Sequence, residues 1–377
     1  MLAKYAISGL RTLFITIGVV GLLAAPQAIE KAAAGPRSVE LEKVIEGAKK
    51  EGTLNIQWTG GRLDGEAGLT PIVAAMNKKY GTNIKLQFTP SASFPKVLNK
   101  IIQEKAAGQP SSTDVNLMAA TQATRATKVG ILKKLDWGSI LERPAPAGAN
   151  FNRVAPGGDS VAIATSVSGI TYNTNLVKGD DIPVGMEDVL KPKWKGKIAS
   201  TPYATGLYQF AAKDMMGYKY MKRYTQRLAN QIGGLISCSN VNRISSGEFA
   251  MLVFDCAAYD ALRYQKRGAP VAQTTVKEIA GVMVLYLGVP VHAKHPNASI
   301  LFINFLHTRE GQALQWKYGR HDLHIYPESH TREQIEKVVE RGGKLAFYTV
   351  KRSLKLGQKE VRRVRGEFIK ILKQASR

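Results

Sequence analysis

From Val39 to Met118 the chain repeats one unit: a helix-spaced segment, a short β run, and a small hydroxyl-bearing loop that opens the next helix. "VELEKVIEGAKKEG" puts Leu41, Val44, Ile45 and Ala48 on one helical stripe and stops at Gly52, the spacing and terminator of a buried helix face. The runs "TLNIQW", "NIKLQF" and "TDVNLM" read as strands, with helices "LTPIVAAMNKKYG" and "PKVLNKIIQEKAAG" between them. Strands alternating with crossover helices fold as a mainly parallel sheet. In such sheets ligands bind at the loops beyond the carboxyl ends of the strands. Here those loops are Thr59-Gly60-Gly61, Ser91-Ala92-Ser93 and Ala119-Ala120-Thr121. Backbone N–H groups at the helix starts suit an anionic group. Taken singly, each loop reads more simply as ordinary Ser/Thr capping; three in series strengthen the binding reading.

A chain of 377 residues exceeds what one core usually supports, so two lobes are expected. "RPAPAGANFNRVAPGGDS" is a turn-rich passage between them, and a second strand–loop–helix series fills the chain to about Ala269. The second series ends in an apolar run, Phe249–Phe254, broken by Asp255-Cys256. An acid at a strand end is costly to bury unpaired. Asp255 is therefore expected to face a cleft and meet a cationic ligand group, or else to find a protein partner.

The formal charge of +24 favours anionic partners without choosing among nucleic acid, lipid and acidic solutes. The N-terminus chooses. Lys4 and Arg11 precede an apolar run, Leu13–Ala25, and then small residues, the order of a signal peptide cleaved after Ala28 or Ala34. The run is short of the roughly 20 residues of a membrane span, which leaves an uncleaved N-terminal anchor as the alternative. Residues 1–34 are thus expected to direct export to the periplasm, which argues against nucleic acid. The last 37 residues hold 12 Lys/Arg against Glu360 and Glu367. "LAFYTVKRSLKLGQKEVRRVRGEFIKILKQ" within them reads as a basic amphipathic helix, a solvated face or a contact with anionic membrane. Cys238 and Cys256 either pair in an oxidising compartment or stay as buried thiols; their spacing leaves both open. A zinc site from His321, His324 and His330 has workable spacing but reads more simply as a surface cluster. Catalysis by Cys256 with Asp255 lacks a paired base.

"YNTNLV", "DVLKPKWKGKIASTPYATG", "SNVNRISSGEFAMLVFD" and "VPVHAKHPNASILFINFLHTREGQALQWKYG" stand in the order found in bacterial extracellular solute-binding proteins of ABC importers. The likeness runs over about 39–329 and is greatest to the branch of ferric-ion, phosphonate, thiamine and polyamine binders. The resemblance implies an α/β fold of type II-like, two-lobed periplasmic-binding-protein form: two mixed sheets with flanking helices, joined by hinge strands. It places lobe 1 at 35–160 and 271–330, lobe 2 at 161–270, and a basic extension at 331–377, with terminal helices packing across lobes. It implies a monomer that hands a small solute, anionic or zwitterionic, to a membrane permease, with no cofactor, metal or chemistry. The expected contacts are Thr59, Gly60, Arg62, Ser91, Ser93 and Thr121 from one lobe, and Thr205, Gly206, Ser239, Asn240, Asp255 and Tyr259 from the other. Binding of ferric ion or a ferric complex is the alternative within the family. Ferric-ion binders resembling this chain carry two adjacent tyrosines past this strand and a histidine in the first loop. Here Ala257 and Ala258 take the tyrosine places, Tyr259 is one residue on, and the first histidine is His292.

Overall fold

The computed structural model describes residues 37–375 except Ala92 and Asn150; the expected signal segment 1–34 lies outside the described residues. The first lobe is built from α1 (Val39–Glu51), β1 (Thr53–Thr59), α2 (Glu66–Tyr80), β2 (Lys85–Ser91), α3 (Phe94–Ala106), β3 (Asn116–Ala119), α4 (Ala120–Val129), the short α5 (Trp137–Ile140) and β4 (Val161–Ser168). Local chemistry sets these elements. The Ser38 side chain caps α1 by accepting from the Leu41 N–H at 3.0 Å, Gly52 ends it in the left-handed region, and its stripe Leu41, Val44, Ile45 and Ala48 is buried.

The second lobe holds β5 (Ile170–Asn173), β6 (Ile198–Ser200), α6 (Leu207–Phe210), α7 (Tyr218–Ala229), β7 (Ile232–Leu235), α8 (Val241–Ser245), β8 (Met251–Val253), α9 (Ala258–Lys266) and β9 (Val271–Thr274). The chain then returns through β10 (Ile279–Gly288), α10 (Pro296–His307) and α11 (Arg309–Gly319). It finishes with α12 (His330–Glu340), β11 (Lys344–Tyr348), α13 (Val350–Leu356) and α14 (Gln358–Ala375). In the first lobe β1 and β2 pair in parallel, Ile56 bridges Val115 ahead of β3, and β10 pairs β3 and β4 antiparallel and β11 in parallel. The second sheet runs β7-β6-β8-β5-β9. Each lobe has its own apolar core, one around Trp58, Ile72 and Phe302, the other around Ile198, Phe210 and Phe254.

The crossings lie further along the chain than expected. Val161–Ser168 is a strand of the first sheet, so the chain passes to the second lobe at Gly169, not at Val161; it returns across residues 275–278, not at Val271. The two crossings touch at Gly169, where a Cβ would sit 2.2 Å from the Thr274 carbonyl oxygen; only glycine permits that approach.

Asp255 closes this hinge and does not face the cleft. The preceding Phe254 is left-handed (φ 53°), and the turn carries the carboxylate, 3% exposed, toward the crossing strands. Its oxygens accept from the Gly169 N–H at 2.8 Å, the Thr171 hydroxyl at 2.7 Å and the Gln273 side-chain amide at 3.2 Å. The Asp255 N–H donates to the Gly169 carbonyl at 2.8 Å. Its partners are these neutral protein donors, the alternative to a ligand amine.

The C-terminal segment is also not the single amphipathic helix expected. Lys344–Tyr348 pairs with β10, and only then do α13 and α14 follow. A short apolar run beside an open strand edge gains ladder hydrogen bonds that a helix start cannot offer it. Val364, Phe368 and Leu372 of α14 are buried in the second-lobe core.

Candidate ligand-binding site

A cavity of about 760 Å³ opens between the lobes. From the first lobe its wall takes Thr59, Gly61 and Arg62 at the end of β1, and the opening turns of α3 and α4, with Ser93 and Thr121 among them. Ser93 stands at the N-cap of α3, yet its side chain makes no capping bond. The second lobe contributes Tyr203 and Thr205, Ser239, Cys256 and the face of α9.

That face has a simple origin. Tyr259, Arg263 and Arg267 recur every four residues, as do Asp260 and Tyr264, so one side of α9 presents them together. Across the cleft, Arg62 donates from Nη2 to the Tyr259 hydroxyl, with its guanidinium carbon 3.6 Å from the ring centroid. Asp64 of the first lobe pairs with Arg267 at 2.7 Å and with Arg263 at 3.4 Å. Burial pushes the Asp260 carboxyl up, against the pull of Arg62 and Arg263. Burial likewise raises the Tyr259 phenol, opposed by Arg62, so it keeps its proton. Two guanidinium atoms, Nη1 of Arg62 and Nε of Arg263, are buried with no protein partner among the described residues.

Of the expected contacts, Thr59, Arg62, Ser93, Thr121, Thr205, Ser239 and Tyr259 stand in the wall. Gly60, Ser91, Gly206 and Asn240 do not. Gly60 gives its place to Gly61; Ser91 pairs with Thr59 as the last residue of β2; Gly206 packs on Phe254; and Asn240 starts α8. Asp255 belongs to the hinge. The expectation missed Asp260, Arg263 and Tyr264, which the four-residue spacing of α9 could have given, and Tyr348 and Arg365, which no local signal marks.

Cys238 and Cys256 form a disulfide, with Cα atoms 5.7 Å apart. It ties the loop before α8 to the end of β8 in the cavity wall and leaves Cys256 without the thiol a nucleophile needs. The three histidines do not converge. His321 faces Tyr259, His324 lies between Phe151 and Phe347, and His330 stacks on Trp316 at 4.2 Å. Burial lowers His321 to about 3 and His324 to about 4, keeping both neutral.

A family model for bacterial extracellular solute-binding proteins matches residues 71–337. The chain belongs to that family. A comparison with curated protein sequences finds no match. Among solved structures the binding protein is similar to the substrate-binding protein of an ABC transporter from Agrobacterium tumefaciens, at 18% identity over 86% of this chain and 96% of that one, with a TM-score of 0.67. It is similar to the spermidine/putrescine-binding PotD of Streptococcus pneumoniae, at 17% identity over 86% and 99%, TM-score 0.65. It also resembles iron-bound HitA of Pseudomonas aeruginosa, at 18% identity over 77% and 99%, TM-score 0.55. These likenesses show the two-lobed fold, and the family's function is to bind solutes for ABC transporters. Among the described residues no helix is long and apolar enough to cross a membrane.

Proposed function

We propose that the binding protein holds a small anionic solute between its lobes and delivers it unchanged, as a periplasmic monomer, to an importer permease. The observation that carries this is the charge of the cavity. Arg62, Arg263, Arg267 and Arg365 line it against Asp260 alone, and Asp64 pairs two of the four from just outside. Two positive charges remain. Buried guanidinium atoms without partners cost free energy until something accepts from them, and an anion does so best. The opening turns of α3 and α4 add N–H groups and the positive ends of their dipoles. A polycation would leave those groups unpaired and meet like charge.

Export by the signal segment 1–34 is part of the same reading. So is the outer face of α14, where exposed Lys359 and Lys370 meet solvent or anionic lipid, each contributing about 1 kcal/mol near a charged surface. Native mass spectrometry of the protein recovered from the periplasm tests the whole. The mature chain should begin between Ile29 and Gly35 and carry a retained solute that is detected as an acid. A retained polyamine, or an intact Met1 in the membrane fraction, would refute the corresponding half.

A further inference from the structure

The matched family segment ends at residue 337, but the cavity wall does not. Tyr348 and Arg365, from the last stretch of chain, are both part of it. That stretch is anchored to both lobes. β11 extends the first-lobe sheet, and α13 packs on α4 while α14 packs on α6 and α7. Arg352 of α13 grips Asp214 of the second lobe through both terminal nitrogens, at 2.7 and 2.8 Å. The segment thus lies across the side of the cleft as a fixed wall.

We propose that this wall is a working part of the binding site: Tyr348 and Arg365 contact the solute, and with Arg62 opposite they select a planar solute carrying two anionic groups. This rests on the reading of the cleft as an anion site. Arg365 donates its Nε to the Tyr203 carbonyl at 3.2 Å and has its guanidinium carbon 5.7 Å from the Tyr208 ring. Both contacts orient it and leave its terminal nitrogens without a protein partner among the described residues. Arg62 is held by Tyr259 instead, and the two arginines share no partner. Two separately mounted guanidinium groups and two uncompensated charges match a dianion; a monoanion would leave one group unanswered. The body between the charges meets rings, with Phe94, Tyr203, Tyr208, Tyr259, Tyr264 and Tyr348 all in the wall, and flat faces favour a planar group. The Tyr348 hydroxyl is buried with no protein partner among the described residues. Its position is made room for: a Cβ on Gly281 would lie 2.1 Å from it. The hydroxyl is thus packed against β10, and what Tyr348 turns to the cavity is its ring.

The test is calorimetric titration of the full mature chain with terephthalate, a planar dianion, beside benzoate, adipate and spermidine. The wild type should bind terephthalate about tenfold more tightly than benzoate, the scale of one added charge-assisted contact, and more tightly than adipate, a dianion with no flat face to meet the rings. Arg365→Gln should remove most of that tenfold advantage over benzoate. Arg365→Lys should restore part of it, and Arg62→Gln should weaken both ligands. Tyr348→Leu should lose severalfold in terephthalate affinity but not in adipate affinity, because the flat face it removes meets only the planar ligand; that variant stands even if Arg365→Gln folds poorly. Terephthalate affinity that falls with Arg62→Gln but not with either C-terminal variant would overturn the C-terminal wall and leave the anion site standing. Binding of spermidine alone, or of none of the three anions at about millimolar concentration, would overturn the anion site and the wall together.

Discussion

Asp255 is a buried acid in a hinge, and its chemistry makes the stability of the protein depend on pH in a stated direction. Burial disfavours the carboxylate, while the bonds from Gly169, Thr171 and Gln273 favour it. Burial prevails, and the pKa stands at about 6 against an ordinary 3.8. Between those values the folded carboxyl keeps a proton that the unfolded one has lost, so folding binds protons and stability falls as pH rises from about 4 to about 6. Well below about 4 both states are protonated and well above about 6 both are ionised, so the effect is centred on that window. A shift of roughly two units at about 1.4 kcal/mol each amounts to about 3 kcal/mol. Asp255→Asn removes the titration and keeps the shape. The variant has its own constant cost, since its amide cannot accept from both the Gly169 N–H and the Thr171 hydroxyl as two carboxylate oxygens do; only the change with pH matters. Urea unfolding of both proteins at pH 4, 5, 6 and 7 reads it. Relative to the variant, the wild type should lose about 2.5 kcal/mol across the series, with most of the loss complete by pH 6. A difference that stays flat would show that the carboxyl is not held above its ordinary range. A difference of opposite sign would show that the hydrogen bonds outweigh burial.

Cys238 and Cys256 close a short loop, with a sequence separation of 18, so replacing both by alanine should cost about 3 kcal/mol in urea unfolding. Asp64 is the acid that links the first lobe to Arg263 of α9 and to Arg267 just past its end; Asp64→Asn should loosen the contact between the lobes, increasing the radius of gyration in small-angle scattering without lowering the melting temperature. Tyr259 is held as a neutral phenol beside Arg62, so ferric ion added at neutral pH should give no tyrosinate charge-transfer band, and a band abolished by Tyr259→Phe would overturn that.

The alternation of strands, small loops and helices is legible in the sequence because it is a local property: Leu41, Val44, Ile45 and Ala48 mark their buried face by spacing alone. The hydroxyl loops likewise place Thr59, Ser93 and Thr121 at the cavity, since a strand end and the helix after it fix where such a residue points. What local sequence does not carry depends on contacts between distant parts of the chain. Asp255 ends a strand as a cleft residue would, but its partners Gly169 and Thr171 lie more than 80 residues earlier. Nothing near residue 255 announces that two crossing strands meet there. The basic C-terminal stretch has helical periodicity, yet Lys344–Tyr348 becomes a strand because β10 offers it an edge. That pairing is what brings Tyr348 to the cavity, and the packing of α14 on the second lobe brings Arg365. Charge composition alone assigned these arginines and lysines to solvent or lipid. The fold divides them: Lys359 and Lys370 stay outside, while Arg365 is carried to the cavity wall because Val364 and Phe368, on either side of it in sequence, are buried in the second-lobe core.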